Sequence, residues 1–247
     1  MATTRLPKNV AALIKTAWPE GAIEEFDTDE SGFLDIQAKL ERDLRKIPSA
    51  SLRWQTEPEE GVYWDDGDDD FDEAPPRDWQ FQSYHVFFLV PDGDEFRSDD
   101  ETEDMEPPDV LDEEDEEWVE TQVPGGRWVG CAVAVSLAGP VALVTFSSYG
   151  LYQNGTTQEP SIDACYLCDD PGESITAADY YRREVVPEGF QKLEGLRARI
   201  VEVCQKHRLE VLDDAVLDLP VTGLTAAQEV FVLPPIRVRD AFFFRGV

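Results

Sequence analysis

Residues 127–149 read RWVGCAVAVSLAGPVALVTFSSY, and this stretch decides the fold class. Two apolar runs, 128–137 and 141–148, are joined by Ala138, Gly139 and Pro140. Short apolar runs bounded by such a Gly-Pro step read as two strands of a β-hairpin. Neither run alternates apolar with polar side chains. Near-continuous apolar strands are those covered on both faces, so the hairpin belongs at the centre of a sheet.

Further strands flank it in the sequence. Residues 80–90 (QFQSYHVFFLV) lie between Pro75-Pro76 and Pro91-Asp92-Gly93 and read as a strand. Residues 51–56 alternate, with Leu52 and Trp54 expected on one face, and 62–64 is a short apolar piece. Downstream, 162–168 reads as a strand, 174–183 as a short helix, and 230–233 with 238–244 as one or two terminal strands. Three segments carry helical spacing instead. In 7–18, Val10, Leu13, Ile14 and Ala17 share a face, and Pro19 and Gly21 end the helix. In 35–46, Ile36, Leu40, Leu44 and Ile47 oppose Lys39, Arg42 and Arg45, with Pro48 as the stop. In 188–207, Leu193, Leu196, Ile200 and Val203 form the apolar stripe. The expectation is a single α+β domain over 1–247. Its mainly antiparallel sheet has a central hairpin at about 128–148 and is flanked by N-terminal and C-terminal helices.

Charge is concentrated rather than spread. The chain has 247 residues, 42% of them hydrophobic, and a formal charge of -32. Between Glu57 and Glu120 there are 28 acidic residues against only Arg77 and Arg97, leaving 25 acids and 19 bases elsewhere. Two segments, 57–78 and 92–120, hold too many like charges to pack, and are expected to be acidic, mobile loop insertions. Such a surface repels phosphates and anionic lipid, which excludes direct nucleic-acid and membrane binding, and attracts a basic protein or cations. Arg5 and Lys8 precede no continuous apolar run, and the apolar stretch 129–146 is broken by Ser136, Gly139, Pro140 and Thr145. With only four cysteines, a reduced, cytoplasmic protein is expected.

Two patterns hold metal-ligand chemistry. Residues 27–35 (DTDESGFLD) place Asp27, Asp29 and Ser31 at alternate positions, then Gly32 and Asp35. Hard oxygens at that spacing with a glycine at the sharp turn resemble the first nine positions of an EF-hand calcium loop. Ala38 stands where that family has its bidentate carboxylate, and Pro19 and Gly21 interrupt the entering helix. The plain reading is a polar turn in which Asp35 or a nearby acid caps the next helix. The second pattern pairs Cys165 and Cys168 with Cys204 and His207, three thiolates and an imidazole that suit structural zinc. Its plain reading is buried cysteines acting as small hydrophobes. Asp163, Asp169 and Asp170 would raise thiol pKa values, against a redox role.

Only two histidines are present, and His85 lies in an apolar strand, where a satisfied core or rim histidine is the ordinary reading. No nucleophile elbow, phosphate loop or metalloprotease helix occurs. The leading expectation is a non-enzymatic acidic protein that binds a basic partner, of the inhibitor or immunity type that covers a toxin. Tyr63, Trp64, Asp68, Asp69, Asp70, Phe71, Trp79, Glu113, Glu114, Asp115 and Trp118 would make that contact, aromatic anchors amid carboxylates. The alternatives are a calcium- or zinc-binding regulatory protein and a carboxylate-dependent enzyme. A charge run that merely solvates the fold stands beside all three.

Overall fold

The structure, a computed structural model, describes residues 6–24, 26, 33–56, 81–98, 126–151, 157–162, 165–167, 174–228, 230, 232 and 234–246. In chain order its helices are α1 (Lys8–Ala17), α2 (Phe33–Leu44), α3 (Ala177–Glu184), α4 (Pro187–Lys206), α5 (Asp214–Leu217) and α6 (Val238–Phe242). The strands are β1 (Ala22–Ile23), β2 (Ala50–Gln55), β3 (Phe81–Gln82), β4 (Tyr84–Pro91), β5 (Arg97–Ser98), β6 (Gly126–Ser136) and β7 (Val141–Leu151). They continue with β8 (Thr157–Gln158), β9 (Cys165–Leu167), β10 (Ser174–Thr176), β11 (Glu210–Leu212), β12 (Thr225–Ala226) and β13 (Arg245–Gly246).

The apolar runs at 128–137 and 141–148 form the antiparallel hairpin β6–β7. It sits inside a seven-stranded sheet of order β11-β7-β6-β4-β2, with β5 beside β6 and β8 beside β7. Cys131 to Val135 on β6, Val141 and Ala142 on β7, and Phe87 to Leu89 on β4 are all fully buried. That burial on both faces explains why their sequence does not alternate. All pairings in this sheet are antiparallel except that of β11 with β7. The architecture is therefore helices with a mainly antiparallel sheet.

The strand register separates two sheet faces. Phe87, Val133 and Val144 are mutual cross-strand partners and point one way; Phe88, Ala132 and Thr145 point the other. Helix α4 covers the first face. Its buried stripe is Leu193, Leu196, Ile200 and Cys204, with Pro187 in the first turn. Phe190 packs its ring 5.4 Å from that of Phe146, and Arg197 Nε donates to Val144 O at 3.1 Å. Each fully buried leucine in that stripe contributes about 1.5–3 kcal/mol. Helix α1 buries Val10 and Ile14, and Trp18 just beyond it donates its indole N–H to Ala241 O at 2.8 Å. The Trp18 and Phe244 rings lie 5.7 Å apart, so the two chain ends share one core.

Four sequence readings change. Residues 238–242 form a helix, not a strand: Val238, Ala241 and Phe242 are buried at helical spacing, and Arg237 N donates to Asp240 Oδ2 at 2.7 Å across the first turn. Only 245–246 pair as a strand there. Leu52 and Trp54 do not share a face, because a register shift between them sets Leu52 opposite Leu89 and Trp54 opposite Phe88. On α4, Cys204 takes the buried position and Val203 is half-buried. The start of the expected second acidic loop is folded: Asp94–Phe96 makes a 3-10 turn, Phe96 is buried, and Lys192 pairs with Glu95. Among the described residues no helix is long and apolar enough to cross a membrane.

Candidate partner-binding surface

The residues expected to contact a basic partner, Tyr63, Trp64, Asp68, Asp69, Asp70, Phe71, Trp79, Glu113, Glu114, Asp115 and Trp118, lie outside the described residues, as do Asp27, Asp29, Ser31 and Cys168. Asp35 falls in the first turn of α2 and Cys165 opens β9. Cys204 is fully buried, and burial pushes its thiol up to about 12. His207 ends α4, donating its backbone N–H to Cys204 O at 3.0 Å, and its Nε2 lies 3.1 Å from Asp43 Oδ2. Among the described residues no group of three or more His, Cys, Asp or Glu is arranged to hold a metal ion.

Asp43 is an ion-pair node between α2 and the end of α4. Lys206 Nζ reaches Oδ2 at 2.8 Å and Lys46 Nζ reaches Oδ1 at 3.1 Å. Lys206 first, then Lys46, hold the carboxyl well below its usual range, with His207 adding to them. A depressed carboxyl contributes stability above its unfolded pKa and loses it as pH falls. Asp43→Asn is therefore expected to lower Tm by a few degrees at neutral pH and low salt. Thermal melts should show the difference shrinking in high salt and in acid.

His85 is 5% exposed on the helix-covered face, its ring 4.6 Å from Phe87 and its Nε2 3.3 Å from Gln37 Nε2. Burial lowers the imidazole to about 4, against the opposing field of Glu41. It is neutral at pH 7 and is packed as a core side chain.

On the opposite face the sheet assembles a cluster that the sequence does not announce. Tyr149 is opposite Trp128, and Trp128 is opposite Arg97, so all three point the same way. The Tyr149 ring stacks against Trp128 at 5.8 Å and against Trp54 at 6.3 Å, and meets Phe88 at 6.2 Å. Both β6 and β4 lie between β7 and β2, and on this face β6 carries no side chain at Gly130. A Cβ at Gly130 would lie 2.1 Å from Leu89 O and 3.0 Å from Phe88 Cζ. Arg53 and Arg97, both exposed, hold their guanidinium carbons 5.1 Å and 5.6 Å from the Trp128 centroid. Each such cation–π contact contributes about 0.5–1 kcal/mol at an exposed site. Trp54 and Tyr149 are half-buried. Below them, the Trp128 indole N–H and the Ser147 hydroxyl are buried without a protein hydrogen-bond partner.

The acidic segments leave the fold at the border of this arginine–aromatic platform. Thr56, two residues after Trp54, is fixed by donating to Val86 O at 2.9 Å and accepting from Val86 N at 3.0 Å. From it departs 57–80, with 11 acids against Arg77. Ser98 follows Arg97, and from it departs 99–125, with 14 acids and no base. That segment returns at Gly126, where a Cβ would stand 3.3 Å from Trp128 Cη2 and from Arg97 Nε. Of these features, only Gly130 inside an apolar strand was a visible signal, since an isolated strand glycine marks a close approach.

No protein-family model, no curated protein and no solved structure matches the chain.

Proposed function

We propose that this is a non-enzymatic binding protein whose acidic insertions engage a basic protein, in the manner of an inhibitor or immunity-type protein that covers a toxin's cationic site. The observation that carries this reading is where the insertions are rooted. Both are rooted on the large sheet: 57–80 departs from the end of β2, two residues after Trp54, and 99–125 runs from β5 to β6, departing after Ser98, next to the Arg97–Trp128 pair. Long insertions cost the fold little, because loop-closure entropy grows only logarithmically with length. Connections of this length in a folded protein are uncommon and are most often functional or linkers. Two segments with net charges of -10 and -14, rooted on one rigid sheet, present carboxylates where a basic surface would otherwise meet phosphates. Their field speeds encounter with a cationic protein and weakens with salt.

The experiment replaces 57–80 and 99–125, singly and together, with Gly-Ser linkers of about ten residues. Each variant is compared with the full chain for melting temperature and for binding to poly-L-lysine and to a small cationic ribonuclease. The expected result is an unchanged melt and a loss of binding that is additive between the two insertions. In the full chain the affinity should fall steeply with salt. Equal binding by the doubly replaced chain would overturn the proposal.

A further inference from the structure

We propose that α2 is an acid-operated flap: a proton taken up by His85 lifts the N-terminal half of the helix, residues 33–40, off the sheet, while its C-terminal half stays latched to α4. This goes beyond the binding function proposed above and does not depend on it.

The chain has two histidines, and α2 touches both. Gln37 lies against His85 of β4, and six residues further along the helix Asp43 meets His207 at the end of α4. The two contacts differ in kind. His85 is 5% exposed, and its Nε2 meets an uncharged amide, Gln37 Nε2, at 3.3 Å. Beside it on the sheet stand Phe87 and its cross-strand partner Val135, both fully buried. An imidazolium in that place gives up hydration and gains no ion pair from the amide, the ring or the valine. Glu41, one turn after Gln37, is an acid whose field opposes this, and its carboxylate is paired with Arg45 at 2.8 Å. Burial outweighs that field and lowers the imidazole to about 4.

His207 faces a carboxylate instead. Asp43 Oδ2 lies 3.1 Å from its Nε2, and Lys206 and Lys46 hold that carboxyl ionised. A proton on His207 turns the contact into a charge-assisted hydrogen bond. Acid therefore loosens one end of α2 and tightens the other.

The helix is also fastened unevenly. In and just after its C-terminal half, Leu44 and Ile47 are buried, Asp43 is tied to α4, and Arg199 of α4 donates to Pro48 O. In the N-terminal half, Leu40 is fully buried, Ile36 and Gln37 are half-buried, and Ala38 and Lys39 are exposed. Segments that bury few apolar side chains open at lower free energy than the whole fold. Lifting the helix at Gln37 lets water reach His85. The closed form holds the imidazole below its ordinary value, so the open form takes the proton first, and opening gains as pH falls from 6.5 toward 4. Between pH 7 and pH 5 the open population should rise about twentyfold.

Amide hydrogen exchange of the full chain tests this, corrected for intrinsic rate, at pH 7 and pH 5 and over urea concentrations below the unfolding transition. The amides of 37–41 should exchange through an opening with little urea dependence, because little surface is exposed. Those of 45–47 should share the steep dependence of β4 and β6. From pH 7 to pH 5 the protection of 37–41 should fall about twentyfold, and in His85→Gln it should not change. A urea slope at 37–41 equal to that of β4 would overturn the flap, since α2 would then open only with the whole fold. A fall in protection that survives in His85→Gln would overturn His85 as the trigger. The urea slopes are read on the parent chain, so the proposal can be refuted even if the His85 variant fails to fold.

Discussion

Gly130→Ala should lower the unfolding free energy by about 3 kcal/mol, at the upper end of what overpacking a core costs. For a chain of this size that is roughly 6–12 °C in Tm. The added methyl would sit 2.1 Å from the main-chain oxygen of Leu89, which cannot rotate away as a side-chain end can. Either β4 and β6 separate at the Leu89–Cys131 end of their ladder or the Phe88 ring, 3.0 Å away, is pushed into Tyr149. The same substitution in the exposed middle of α4 provides the contrast. A Cβ at Gly195 meets nothing within 4 Å. Gly195→Ala should therefore stabilise by about 0.5–1 kcal/mol, the helix-propensity difference between the two residues. Urea unfolding of both variants checks the pair. A Gly130→Ala protein as stable as the parent would mean that β4 and β6 do not approach as described.

Lowering the pH from 7 to 4 should cost roughly 3 kcal/mol of stability through His85 alone, about 2 kcal/mol of it by pH 5. Burial depresses the folded imidazole to about 4, below the 6.5 of an exposed histidine. The unfolded chain therefore takes up the proton first. The stabilisation is complete above about 6.5 and is lost as pH falls toward 4. Gln37 from α2 and Phe87 from its own strand face the ring, and Glu41 of α2 opposes the effect of burial. Glu41 is itself held by Arg45 at 2.8 Å. Asp43 and Glu95, whose carboxyl pKa values are lowered, lose their contributions only below the unfolded carboxyl range, whereas burial raises Asp214 and Asp240, which act with the opposite sign, so it is the difference between parent and variant that isolates the histidine. Denaturation of the parent and His85→Gln from about pH 6.5 to about pH 5 decides the matter. The variant's curve should be flatter by the stated amount, whatever its stability at pH 7. Parallel curves would remove His85 as the source of acid sensitivity.

The sheet centre was legible because its residues have no alternative. A run such as Cys131 to Val135 is too apolar for a surface strand, and Gly139-Pro140 gives it one place to turn. The long helix was legible from Leu193, Leu196 and Ile200, whose spacing identifies a buried stripe wherever the helix docks. The C-terminal helix was not legible: Val238 and Phe242 to Phe244 have strand propensities, and five residues are too few for a period to show. Its form follows from burying Val238, Ala241 and Phe242 together against Trp18 and the hairpin turn. Trp54 was misplaced for a related reason, since one extra residue in β2 moves it to the other face and alternation cannot reveal a bulge.

By itself the sequence determined the central hairpin and the long helix of the core, the size and sign of the charge, and the segments that carry that charge. These are local properties: side-chain period, backbone preference and the count of ionised groups do not depend on what lies across the molecule. Tertiary structure decided that Trp54, Phe88, Trp128 and Tyr149, spread over 96 positions, form one layer beneath two arginines. It also decided that the acidic segments leave the fold at that layer's edge. Both depend on strand register, which is set by hydrogen bonds between distant residues and is not encoded in any one stretch of chain.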